Sequence, residues 1–66
     1  MRNNIKELRK GSNLRQEDLA EILGVTRQTI IAIENNKYDP TLELAMKISV
    51  YFGKNVNEIF QLDHES

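Results

Sequence analysis

Apolar residues recur along this chain at spacings of three and four, the repeat of a helix buried along one side. The stretch from Asn3 to Lys10 places Ile5 and Leu8 on one face and stops at Gly11-Ser12, a pair that favours a turn. A second helix is predicted from about Gln16 to Leu23, with Leu19, Ala20, Ile22 and Leu23 as its apolar face. Glu17 and Asp18 fall in its first turn, where the helix dipole favours carboxylates. Gly24 suits the position just past that helix, where the chain turns left-handed. Thr26 suits the N-cap of a third helix, over about Arg27 to Asn36. Asn35-Asn36-Lys37-Tyr38-Asp39-Pro40 reads as a loop. Thr41 then caps a fourth helix, about Leu42 to Phe52, which Gly53 closes. Asn55-Val56-Asn57-Glu58 has the form of a capping box and predicts a short fifth helix through about Phe60. Met1-Arg2-Asn3 and Phe60-Gln61-Leu62 are each long enough for a short strand, and the two could pair; a frayed terminus is the competing outcome. With no repeat, linker or low-complexity tract, residues 1–66 are expected to form one all-α domain of five helices, with room for a two-stranded β-ribbon from the termini.

The third helix carries the first functional signal. Ile30 and Ile33 share a face that must meet Leu19, Ala20 and Leu23, and Val25 in the preceding turn can join it. Opposite lie Arg27, Gln28, Ile31, Ala32 and Asn35, again at spacings of three and four. Core packing therefore turns Arg27 and Gln28 outward. The link between the second and third helices is only Gly24-Val25-Thr26, which holds them at a steep angle, as in a helix-turn-helix. A small Ala20 near the crossing lets them approach.

Length and composition change this picture little. A chain of 66 residues allows one domain with a small core, burying roughly 60% of its unfolded surface. The absence of cysteine removes disulfides and thiolate metal sites and suits a reducing compartment. No run approaches the roughly 20 apolar residues of a membrane span, and no signal peptide is legible, so a soluble, cytoplasmic protein is expected. The net charge of −1 argues against a nucleic-acid binder. Its distribution argues the other way. Residues 1–38 hold seven Lys/Arg against five acids, and residues 39–66 hold two against five, so an anionic partner should meet the N-terminal half.

The run "QEDLAEILGVTRQTIIAIENNKYDPTLELAMKISVYFG" resembles the Cro/C1-type (XRE-like) helix-turn-helix family of DNA-binding repressors. The likeness extends from about Ile5 to Phe60. Gln16, Leu19-Ala20, Gly24-Val25, Ile30, Ile33-Glu34, Lys37, Pro40, Leu42, Ala45, Ile48 and Val56 carry it. It implies a five-helix, lambda-repressor-like fold. The length and both ends look most similar to small stand-alone members that are dimers with a short terminal β-ribbon.

The resemblance also implies roles. In the family the N-terminal part of the third helix enters the major groove. Arg27 and Gln28 then stand at base-reading positions, Arg27 with the fork that bonds guanine O6 and N7, Gln28 with an amide that can do the same to adenine N6 and N7. Gln16 stands where the family contacts phosphate from the first turn of the second helix. Thr26, Thr29, Asn35, Asn36 and Lys37 are candidates for further backbone contacts, which set register rather than sequence preference. Arg9 and Glu34 occupy positions that pair in a partly buried salt bridge between the first and third helices. Three features depart from the family. Arg15 replaces the usual Ser or Thr N-cap, losing capping energy and gaining a possible phosphate contact. Ile31 and Ala32 replace polar or basic residues, leaving them to pack on a thymine methyl. The acidic balance should make non-specific affinity modest and salt-sensitive.

Each role has a plainer counterpart. Arg27 and Gln28 could be ordinary solvated residues, although the Gly-Val-Thr turn before them favours contact. Asn35-Asn36-Lys37 could be a polar helix end, where a lysine already suits the dipole. Glu17, Asp18 and Glu21 fit a solvated helix face better than a carboxylate site, and the lone His64 has no metal-ligand companions. No nucleophile with its base, glycine-rich phosphate loop or metal site is present, so neither an enzyme nor a cofactor is expected. Val50, Tyr51, Ile59, Phe60 and Leu62 exceed what a small core needs and suggest a homodimer seam near the C-terminus. The function expected is a dimeric regulator, a repressor, that binds an inverted repeat in double-stranded DNA, with no membrane or small-molecule partner. The alternative is a protein-interaction module, such as an antitoxin or adaptor, served by the acidic C-terminal half.

Overall fold

The computed structural model describes residues 1–62; His64 lies outside them. In chain order the elements are β1 (Arg2–Asn3), α1 (Ile5–Gly11), α2 (Gln16–Leu23), α3 (Arg27–Glu34), α4 (Leu42–Phe52), α5 (Val56–Ile59) and β2 (Phe60–Gln61). The two strands pair antiparallel, Arg2 opposite Gln61 and Asn3 opposite Phe60, so the terminal ribbon forms. One core unites the helices: Ile5, Leu19, Ala20, Leu23, Ile30, Ile33, Leu44, Ala45, Ile48, Ile59 and Phe60 are all buried.

Helix starts follow the side chains available. Thr26 Oγ1 accepts the Thr29 amide at 3.4 Å, and Thr41 Oγ1 accepts that of Leu44 at 3.2 Å. Arg15 offers no acceptor, but the cap is not simply lost. Asp18 reaches back and accepts the Arg15 amide at 2.9 Å, the reciprocal half of a capping box. Glu58 does the same for Asn55 at 2.8 Å.

Four of the five helices end in one way. Leu14 N donates to Arg9 O, Val25 N to Ala20 O, Lys37 N to Ala32 O and Lys54 N to Ser49 O, at 3.0, 3.0, 2.8 and 3.1 Å. Each bond spans five residues and closes a Schellman turn around a left-handed residue. Those residues are Asn13 (φ +59°), Gly24 (+75°), Asn36 (+60°) and Gly53 (+66°). Three helices depart from their sequence-based bounds. α1 starts at Ile5 instead of Asn3, because Asn3 joins β1 and its Oδ1 accepts the Ile5 amide at 3.0 Å; it runs through Gly11, and Asn13 turns the chain. α3 stops at Glu34, because Asn36 supplies the left-handed turn assigned to the body of the helix. α5 stops at Ile59, because Phe60 is extended and pairs with Asn3.

Asn13 tests this account. It is exposed, so its backbone angle is its main contribution. Asn13→Ala should lower stability by about 1 kcal/mol, since a Cβ without a local hydrogen-bonding group is disfavoured in the left-handed region. Asn13→Gly should leave it within a few tenths of a kcal/mol of the parent. The urea midpoints of the two variants check the contrast, and equal midpoints would remove the turn as its cause.

Ile22 also departs from expectation. Placed on the apolar face of the second helix by sequence, it is 46% exposed. Leu19, Ala20 and Leu23 suffice to meet α3, and Ile22 falls beyond the edge of that contact.

Candidate nucleic-acid interface

The face presented by α3 follows from what the helix buries. Ile30 and Ile33 each retain 1% of their exposure, and Val25 packs against the same core from the turn. That fixes the rotation of α3 and leaves Arg27, Gln28 and Asn35 exposed, with Thr29, Ile31 and Ala32 half-buried along the borders. Thr26 caps the helix, and its hydroxyl lies 3.1 Å from that of Thr29. Among the described residues, ion pairs join Met1 to Asp39, Arg9 to Glu34, Arg15 to Glu17 and Asp18, and Lys47 to Glu43, and none of these engages Arg27 or Lys37. Two cationic side chains and a free amide thus stand at the two ends of one exposed helix face.

Behind this face lies a buried polar network. Arg9 is 7% exposed, a charged residue buried at the edge of the core. Its Nε donates to Glu34 Oε2 at 2.7 Å and its Nη2 to Oε1 at 3.2 Å, a bidentate pair. Its Nη1 donates to Leu14 O at 2.9 Å. The Glu34 side chain keeps only 3% of its exposure. Gln16 completes the arrangement by donating from Nε2 to Glu34 Oε1 at 3.2 Å. One carboxylate at the end of α3 therefore holds both α1 and the first residue of α2.

The sequence-derived sites divide accordingly. Arg27, Gln28, Thr26 and Thr29 are brought together at the start of α3. Asn35, Asn36 and Lys37 are exposed at its far end, where the backbone of Asn36 and Lys37 also serves the closing turn. Gln16 is half-buried, and one of its two amide hydrogens is already engaged by Glu34. Arg15 is exposed, but its guanidinium lies 3.5 Å from Asp18 and 3.8 Å from Glu17, so a phosphate there must compete with two carboxylates.

Two of the residues assigned to a seam between copies do not reach the surface. Ile59 is fully buried and Phe60 is 7% exposed. Both are held inward by the ribbon: Ile59 O accepts the Asn4 amide at 3.1 Å, and Phe60 pairs with Asn3. Val50, Tyr51 and Leu62 remain exposed.

Asn3 was not singled out by sequence. Its Nδ2 donates to Ile33 O at 2.8 Å and lies 3.4 Å from Asn36 Oδ1, tying the ribbon to the end of α3. A single asparagine near a terminus carries no periodic or motif signal that would have marked it.

Among the described residues no helix is long and apolar enough to cross a membrane, and no group of three or more His, Asp or Glu could hold a metal ion. Comparison with known proteins agrees with the geometry. The profile of the family described as helix-turn-helix matches residues 5–59. The chain is 58% identical over 60 residues to an uncharacterized HTH-type transcriptional regulator of Methanocaldococcus jannaschii, covering 91% of each chain. It is 46% identical over 66 residues to the uncharacterized HTH-type transcriptional regulator YgzD of Bacillus subtilis, covering both in full. It is also 40% identical over 55 residues to the HTH-type transcriptional activator BcrR of Enterococcus faecalis, covering 83% of this chain and 27% of that protein. With α2, a three-residue turn and an outward-facing α3 inside the matched span, the chain belongs to the Cro/C1-type helix-turn-helix family of DNA-binding transcriptional regulators.

Proposed function

We propose that the protein regulates transcription by binding a specific inverted repeat in double-stranded DNA as a homodimer, and that it represses by occupying a promoter. One observation carries this reading. The core of α3 fixes Arg27 and Gln28 outward, exposed and without ion-pair partners, just after a turn that crosses α3 over α2. Arg27 reads guanine and Gln28 reads adenine from the major groove. Ile31 and Ala32, half-buried at the border of the face, meet a thymine methyl or the wall of the groove. Gln16, Thr26, Thr29, Asn35, Asn36 and Lys37 hold the DNA backbone, and Arg15 joins them on exchanging its carboxylates for phosphate. One such domain reads only a few base pairs, so two copies related by a two-fold axis supply the specificity. The exposed Val50, Tyr51 and Leu62 belong to their seam. Repression is supported by the resemblance. The likeness to an activator covers 27% of that protein, so its output does not transfer.

Selection from a randomised duplex pool at near-physiological salt tests the proposal. The expected product is an inverted repeat whose half-sites lie about 34–36 Å apart, one turn of the duplex. Weak, salt-sensitive binding without enrichment would overturn sequence reading and leave α3 as a surface for a protein partner.

A further inference from the structure

Seven large apolar side chains are exposed among the described residues, and five of them line one depression of about 820 Å³: Ile22, Leu42, Met46, Val50 and Tyr51. Scattered exposed leucines are ordinary on a protein surface, whereas a contiguous apolar patch marks an interaction site. The depression is lined by the end of α2 and the exposed side of α4, with no residue of α3 in its lining. Leu42, Met46 and Val50 recur every four residues, forming a strip 75%, 55% and 81% exposed opposite the buried Leu44, Ala45 and Ile48. α4 is thus apolar on two sides, and the core uses only one.

From these observations we infer that the strip is the seam between two copies of this chain, packed through α4 against α4 in antiparallel fashion about a two-fold axis near Met46. This rests on the proposal that the protein acts as a homodimer, and it moves the centre of the seam from the C-terminal end to α4. Charge selects the occupant. Glu43 and Lys47 each follow a strip residue by one position, so both stand along the same edge of the strip, 80% and 53% exposed, with Lys47 Nζ 3.7 Å from Glu43 Oε2. A two-fold axis perpendicular to the helices sets that edge against its own copy running the other way. With the axis at Met46, Leu42 meets Val50, Met46 meets Met46, and each Lys47 lies within two residues, about 3 Å along the helix, of the Glu43 of the other copy. A parallel pairing would lose this match, because the axis would place opposite edges together. Area is compatible with charge: complete burial of these five residues in both copies would remove at most about 1,000 Å², the lower limit for a specific interface.

Sedimentation of the full chain without DNA tests the seam separately from DNA recognition. The parent should sediment as a dimer at concentrations of tens of micromolar. Met46→Glu, which sets two carboxylates against each other at the axis, should be monomeric yet keep the parent circular-dichroism spectrum, since Met46 is exposed. Glu43→Lys or Lys47→Glu alone should raise the dimer dissociation constant about tenfold, and the two together should restore it. Dimers that ignore Met46→Glu, a double exchange that fails to restore pairing, or a monomeric parent would each overturn the α4 seam. Binding of the parent to its selected duplex, followed in parallel, reads the DNA proposal independently of these outcomes.

Discussion

Replacing Glu34 by Gln should lower the stability of the fold by roughly 3–5 kcal/mol, the range for breaking one partner of a buried ion pair. The reason is what remains. Arg9 stays 7% exposed with a guanidinium built to meet two carboxylate oxygens, and a neutral amide offers it one acceptor. Gln16 loses an ionised acceptor as well. For a domain of this size each kcal/mol shifts the melting temperature by about 4–8 °C, so the loss should exceed about 12 °C in a thermal scan. Removing both charges is a different experiment. Arg9→Met with Glu34→Leu leaves no buried charge, and should be closer to the parent than Glu34→Gln alone, although Leu14 O and the Gln16 amide lose their partners. A change of less than 1 kcal/mol in Glu34→Gln would mean that the carboxylate contributes little to the fold despite its burial.

The second large effect belongs to recognition. Arg27→Ala should weaken binding to the selected duplex by about 1–3 kcal/mol for each half-site, the discrimination carried by one bidentate base contact. Binding to random duplex should weaken far less, and the melting temperature should not move, since the side chain is exposed and unpaired among the described residues. Lys37→Ala provides the contrast: as a phosphate contact it should weaken both duplexes alike and reduce the salt slope by about one unit for each half-site. Competition titrations against both duplexes at several salt concentrations read all these quantities. If Arg27→Ala weakened the two duplexes equally, Arg27 would be a phosphate contact and base reading would have to rest on Gln28.

How far such roles could be seen in the sequence differed by element. α2 and α4 were legible to the residue, because each has a capping residue or first-turn acid at its start and a glycine at its end. The ends of α1 and α3 were not, because asparagine takes the left-handed turn there, and asparagine suits loops and helix ends as readily. The outward face of α3 was legible because Ile30 and Ile33 leave its rotation little choice. The pairing of Arg9 with Glu34 came only through resemblance, since nothing in their spacing announces a contact between α1 and α3. The surplus of apolar residues near the C-terminus was real as composition but wrongly divided. Ile59 and Phe60 go to the core, while Leu42 and Met46, on a helix whose other side is also apolar, are exposed. Periodicity shows that a helix has an apolar face; it does not show how many partners that face must serve.

The terminal ribbon bears on the order in which the fold assembles. Arg2 and Asn3 pair with Gln61 and Phe60 across nearly the whole chain, whereas α2 and α3 meet across a three-residue turn. Closing the longer loop costs about 2.6 kcal/mol more in chain entropy by the logarithmic rule, and two residue pairs are little return for it until the helices have packed. The ribbon is therefore expected to close late in folding and to open before the helices part, and hydrogen exchange at the Asn4 amide, which Ile59 O accepts, against that of core α3 amides would check this. Asn3 makes that opening consequential. Its side chain holds the carbonyl of Ile33 at the end of α3, so each excursion of the chain ends also releases a tether on the helix that carries Arg27 and Gln28.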